Sequence, residues 1–251
     1  MAVSGSSTVM PLAEMDAEEF NMLQNAYHVT VTSGGTGVGI VDMAEGRSEI
    51  AMASREIKPS ERMSYEIGEK KIHEFIVAYD AICIVVSPEI YESGIASLTR
   101  EQLREIYSGN ISNWKDVDGP DSDIFVIGRR AGSGTRDTFN EIVMGSREAE
   151  TPGVSMEAGD SSEAKTAIKG SNNAISYLGY SYVRSGDMNL VALEGVNPTI
   201  ETIKNGDYPL ARKLYFFTMG DPKPGARAFI DFVLSHEGEK IAIENGFIPA
   251  R

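Results

Sequence analysis

IFVIGRRAGSGTRDTF, residues 124–139, passes from an apolar β-like run through two arginines and a turn of glycines and small hydroxyls. It then enters a phrase, Arg136 to Val143, that reads as helix. A strand, a tight turn and a helix in this order form the repeating unit of α/β proteins with largely parallel sheets. The same order gathers Arg129, Ser133, Gly134 and Thr135 around the start of a helix. Backbone N–H groups there lack intrahelical partners, and the macrodipole adds partial positive charge, so an anion is favoured.

Outward from this stretch the pattern repeats. HVTVT (28–32) alternates like a strand, and IAMA (50–53) is a short apolar run of strand length. In SLTREQLREIYSG, Thr99 is placed to cap a helix with Gln102 three residues later, Leu103 and Ile106 share one face, and Gly109 can end it. GARAFIDFVLSHEGEKIAIENG reads as one or two helices near the C-terminus. EFIVAYDAICIVVS (74–87) is longer than an average strand of roughly 5–6 residues, and KLYFFTMG (213–220) is a second strand-like phrase. Periodicity allows two readings of this pair: buried strands of one sheet, or connections between two lobes. No Pro/Gly/Ser linker, internal repeat or low-complexity segment divides the chain.

With 251 residues and 41% hydrophobic content the chain can bury a full core. FIVAYDAICIVV, its longest apolar candidate, is too short for a membrane span and contains Asp80. A net charge of −14 excludes nucleic acid, whose phosphates require a basic face. The lone Cys83 sits in the apolar phrase AICIVV and reads as a packing residue. His28, His73 and His236 have no metal-ligand spacing, and no Ser-His-Asp order or paired histidine supports an enzyme. MAVSGSSTVMP carries neither a basic nor an apolar segment, which fits a cytoplasmic protein or a mature form whose export signal has been replaced.

Three further strand ends share the chemistry of the first. SGSSTVMP (4–11) places Ser6, Ser7 and Thr8 before a helix with Pro11 in its first turn and Leu12, Met15 and Met22 on one face. TSGGTGVG (32–39) supplies Ser33, Gly34, Gly35, Thr36 and Gly37, and AMASREI ends in Ser54 and Arg55. Any one hydroxyl before a helix is most simply an N-cap, and Arg136 could be a surface ion pair. The recurrence favours a small oxyanion, because ligands of open α/β sheets gather outside the carboxyl ends of the strands. Neither GxxxxGK[ST] nor GxGxxG is present, so no nucleotide motif competes.

Together GSSTVMP, GGTGVGI, ASREI, RRAGSGTRDTF, NAISYLGYSYV and the ending YPLARKLYFFTMGDPKPGARAFIDFVLSHEGEKIAIENGFIPAR resemble the PstS family, the phosphate-binding proteins of ABC-type phosphate import. The resemblance runs from residue 4 to the end. It implies an α/β type II periplasmic binding protein fold, two lobes joined by two crossover strands that close on phosphate in an interlobe cleft. Lobe I would comprise 1–79 and 217–251 and lobe II 80–216, with the two long strand-like phrases as crossovers. Ser7, Thr8 and Val9 would present donors from the first turn, and Ser33, Gly35 and Thr36 from the second. Ser54 and Arg55 end the third strand, while Arg129, Ser133, Gly134, Thr135 and Arg136 would belong to the opposite lobe's loop.

The implied protein is a non-catalytic, extracytoplasmic monomer with inorganic phosphate and a membrane permease as partners, and with no cofactor, metal or nucleic acid. Two positions depart from the pattern. Some members carry Asp where Arg55 stands, a carboxylate that accepts the proton of hydrogen phosphate, so sulfate, molybdate or tungstate remains an alternative ligand. Ser176 replaces a glycine usual in the family, in a phrase expected to be a strand.

Overall fold

The computed structural model describes residues 1–250. The first elements are β1 (Ala2–Gly5), α1 (Met10–Leu23), β2 (Thr30–Ser33), α2 (Thr36–Ala44), β3 (Ile50–Ala53), α3 (Pro59–Tyr65) and the long β4 (Ile72–Val86). There follow α4 (Pro88–Glu92), β5 (Ser97–Leu98), α5 (Arg100–Tyr107), β6 (Phe125–Arg129), α6 (Gly134–Phe139), β7 (Met156–Ala158), α7 (Ser161–Lys169) and β8 (Ala174–Gly179). The chain ends through α8 (Tyr180–Val183), β9 (Asn189–Leu193), α9 (Ile200–Lys204), β10 (Ala211–Met219), α10 (Pro224–Val233), α11 (His236–Glu244) and β11 (Ile248–Pro249).

These elements form two units. The first holds Met1–Tyr79, Gly132–Gly134 and the chain from Arg212 onward; the second holds Asp80–Ala131 and Thr135–Ala211. β4 passes from one to the other between Tyr79 and Asp80, and β10 returns between Ala211 and Arg212, ahead of residue 217. The length of β4, 15 residues, is what one strand needs to serve two sheets.

In the first unit β1 lies between β2 and β3, all parallel, with Gly5 opposite both Ser33 and Met52. β10 pairs antiparallel with β3, Phe216 facing Met52, and β11 pairs antiparallel with the start of β4. Side chains alternate across a strand, and both faces here are covered. Ile50, Met52, Leu214 and Phe216 therefore enter one core with Leu12, Phe20 and Phe229, while Ala51, Ala53, Tyr215 and Phe217 enter another with Ile40 and Met43. Phe20 meets Phe229 edge-on, centroids 5.5 Å apart. On α1 the buried positions are Leu12, Ala13, Asp16, Ala17 and Phe20. Met22, expected on that face, is 68% exposed, because the buried face runs in four-residue steps from Leu12 through Asp16 to Phe20 and from Ala13 to Ala17, and Met22 falls on the opposite side of the helix. α2 lies directly on β1 at Gly39, where a Cβ would stand 2.6 Å from Gly5 Cα and from the Ser4 carbonyl oxygen.

The second unit is less parallel than the sequence pattern suggests. β6 is parallel to β8 and β7, but β8 and β9 both run antiparallel to β4, since β4 enters this unit from the opposite direction. Its core contains Cys83, Val85, Ile127, Ala164, Ile168 and Leu178, with Cys83 fully buried. Tyr107, Phe139 and Tyr177 form an aromatic cluster in which Phe139 and Tyr177 stack at 4.1 Å. Trp114 is buried and donates its indole N–H to the Asn173 carbonyl at 2.9 Å. The Thr99–Gln102 capping box opens α5 as expected. Ser176 is buried on β8 and donates its hydroxyl to the Ile127 carbonyl at 3.0 Å. The helix expected to continue to Val143 instead changes to a π turn over Asn140–Met144.

Candidate anion-binding site

The register of β1, β2 and β3 brings their carboxyl ends to one edge of the first unit's sheet. The chain leaves β1 at Gly5, and Ser6 N–H donates to the Met52 carbonyl at 2.9 Å, which ties the first turn to β3. Gly34 and Gly35 N–H groups both donate to the Gly5 carbonyl, at 2.9 and 2.8 Å, tying the second turn to the first. Gly35 takes φ of 95° immediately before α2, a conformation that glycine adopts without strain. These main-chain bonds set the positions of the hydroxyls on the turns.

Thr8 is 1% exposed, Thr36 0% and Ser54 1%, so three side-chain hydroxyls are held away from bulk solvent at this edge. Ser54 N–H donates to Thr36 Oγ1 at 3.2 Å, and the two side-chain oxygens lie 3.4 Å apart. Ser7 and Val9 are buried with them, whereas Ser33, the last residue of β2 and the register partner of Gly5, is exposed. Gly132–Gly134 belong to this unit as well: the Gly132 carbonyl accepts from Gly37 N–H at 3.0 Å. A Cβ on Gly134 would lie 2.4 Å from Thr36 Oγ1 and 2.6 Å from Ser54 Oγ, so only glycine lets this backbone come so close. Ser133 is 5% exposed.

Arg55 is 4% exposed and forms a bidentate pair with Glu61, at 2.8 and 2.7 Å. The Glu61 carboxylate also accepts Lys58 N–H at 2.8 Å at the start of α3. The pairing shares the guanidinium's charge with an acidic neighbour that the sequence spacing did not point to.

In the second unit Arg129 ends β6 and is 2% exposed; its Nη1 donates to Ser161 Oγ at 3.0 Å. Thr135 is buried on α6. Arg136 donates to the Arg129 carbonyl at 2.9 Å and to Glu157 at 2.7 Å, so it is joined to an acidic partner as a surface arginine would be. Burial pushes the Tyr177 phenol well above its ordinary value, against the opposing pull of Arg129 and Arg136.

One buried cation was not singled out from sequence. Arg212, on β10, is 7% exposed and donates from Nη2 to Thr8 Oγ1 at 3.4 Å. Its only sequence signal is an arginine at the head of an apolar strand.

This edge can do a specific kind of chemistry. N–H and O–H donors on rigid turns solvate a compact oxyanion, and no step of bond making is implied. Among the described residues no group of three or more His, Cys, Asp or Glu is placed to hold a metal ion. A separate cavity of about 290 Å³ in the first unit includes Glu45, Ser48, Glu49, Lys70, Asp221 and Lys223 in its lining, whose mixed charge favours neither sign of ion.

Residues 1–237 match the PBP superfamily domain. The chain is 28% identical to the phosphate-binding protein PstS of Bacillus subtilis, spanning 99% of this chain and 80% of that one. It is 30% identical to PstS of Borreliella burgdorferi, spanning 99% and 89%. The crystal structure of a protein from Clostridium perfringens, described as a phosphate ABC transporter substrate-binding protein with bound phosphate, superposes with a TM-score of 0.90 at 33% identity, covering 100% of this chain and 99% of that one. An ABC-type phosphate transport receptor from Vibrio cholerae superposes with a TM-score of 0.80 at 31% identity, covering 99% of each. The fold is the α/β type II periplasmic binding protein fold, and the chain belongs to the PstS family within the PBP superfamily.

Proposed function

We propose that the chain is a non-catalytic receptor that binds inorganic phosphate and hands it to the permease of an ABC importer, outside the cytoplasm. The observation that carries this reading is the common edge of β1, β2 and β3, where Thr8, Thr36 and Ser54 present buried hydroxyls beside Ser133 and Gly134. Phosphate carries about −1.5 to −2 charges near neutral pH, and charge-assisted donors offset the loss of its hydration. The relatives that are named for phosphate point to the same ligand. Arg129, Thr135 and Arg136 are proposed as further donors to the anion, with Ser7, Val9 and Gly35 contributing backbone or hydroxyl groups and Arg55 adding positive charge. The net charge of −14 opposes long-range capture, so short-range donors must supply the affinity.

The test is calorimetric titration of phosphate-free protein with inorganic phosphate and, separately, with sulfate. Phosphate is expected to bind at about 10 μM or tighter and sulfate far more weakly. No heat with phosphate up to about 1 mM, or tighter binding of sulfate, would remove phosphate as the ligand. Turnover of a phosphate ester by the pure protein would remove the non-catalytic reading. Loss of high-affinity phosphate uptake on deleting the gene, restored by the intact chain, is the outcome expected for a permease partner.

A further inference from the structure

We infer that Arg212 is a positioning residue for the anion, acting through Thr8 to make that hydroxyl a dedicated donor. The inference rests on the reading of this edge as the phosphate site. A threonine hydroxyl has one proton to give and two lone pairs with which to accept. Arg212 Nη2 occupies one of those lone pairs at 3.4 Å. Thr8 Oγ1 is thereby held as an acceptor toward the guanidinium, and its own proton is turned toward a different acceptor. Donation from a permanently charged group also polarises the O–H bond and strengthens the bond it gives.

The backbone keeps this arrangement in place. Thr8 N–H is bonded to Ser6 Oγ at 3.2 Å, which orients the residue from its main-chain side. Arg212 begins the first unit's part of β10, whose pairing with β3 fixes the strand beside the same edge. Thr36 repeats the device with a different donor: its Oγ1 accepts from Ser54 N–H at 3.2 Å. Two hydroxyls from two turns thus each accept an N–H, Thr8 from a charged guanidinium and Thr36 from a main-chain amide. Arg212 lies on a strand, so it can be substituted without changing the sequence of either turn.

The experiment is a double-mutant cycle read by phosphate calorimetry on wild type, Thr8→Val, Arg212→Gln and the double variant, with Arg212→Lys as the conservative replacement. Arg212→Gln is expected to weaken phosphate binding about ten- to a hundredfold, the scale of a hydrogen bond involving a charged group. In the Thr8→Val background the same change should cost less than about twofold, because the hydroxyl it orients is gone. Arg212→Lys should recover part of the loss. Equal losses in both backgrounds, or unchanged affinity in Arg212→Gln, would overturn the inference while leaving phosphate binding intact. If circular dichroism shows Arg212→Gln to be unfolded, the cycle is run with Arg212→Lys and read by the same criterion. Wild type that binds no phosphate removes the proposed function, and the inference with it.

Discussion

Replacing Asp16 with Asn should remove a large part of the pH dependence of this protein's stability. Asp16 lies on α1 with 0% exposure, among Leu12, Ala13, Ala17 and Phe20. Neither carboxylate oxygen has a hydrogen-bond partner among the described residues. Burial pushes its carboxyl from 3.8 up to about 8, so the folded protein holds a proton there that the unfolded chain releases. The stability linked to this group is therefore fully present below about pH 4 and is lost as the pH climbs through about 8. Each pH unit inside that window costs about 1.4 kcal/mol, and moving from about pH 5 to pH 8 removes about 4 kcal/mol. Against a total of about 5–15 kcal/mol this is a large fraction. Asn keeps the shape and cannot ionise, so its folding free energy relative to wild type should improve by about 4 kcal/mol across the same range. Urea denaturation followed by far-ultraviolet circular dichroism measures the difference. Phosphate must be absent from the buffer, since a bound ligand would add stability by mass action. Asp16→Leu, which removes the buried polar group altogether, should show the same flattened profile. Wild-type and Asp16→Asn curves that run parallel with pH would refute the reasoning.

Three other substitutions test the packing and the electrostatics. Gly134→Ala places a methyl 2.4 Å from Thr36 Oγ1 and should cost about 1–3 kcal/mol of stability while weakening phosphate binding, as read by melting and calorimetry. Gly39→Ala forces α2 off β1, because the obstructing atoms at 2.6 Å are backbone; a loss of about 3 kcal/mol in urea denaturation is expected. Glu61→Gln leaves the Arg55 guanidinium, whose side chain is 3% exposed, without its bidentate carboxylate and should destabilise by about 2–4 kcal/mol in the same assay.

Where local chemistry set the outcome, the sequence was readable. IAMA became β3 at Ile50–Ala53, and Thr99 with Gln102 opened α5, because a short apolar run and a capping box are both set within a few residues. The glycines and hydroxyls after β1, β2 and β3 were legible for the same reason, as turn residues at strand ends. Partners distant in the chain were not. Nothing near Arg212 announces Thr8, which is brought to it only by the pairing of β10 with β3. Glu61 takes Arg55 through the geometry of the β3–α3 connection, and no periodicity encodes that pair. Asp16 was equally hidden, since an acidic residue on a helix is ordinarily placed toward water, and Met22 was assigned to a face that the helix turns to solvent.

The discontinuity of the first unit imposes an order of assembly during synthesis. Once Ala211 has left the ribosome, every residue of the second unit has been made. The first unit at that moment still lacks Leu214, Phe216, Phe229, Ile230 and Val233, a large part of the core that covers α1. Its opening strands must wait, with one face uncovered, until the residues beyond Arg212 are translated, and a nascent chain stalled before that point would expose an apolar surface to chaperones.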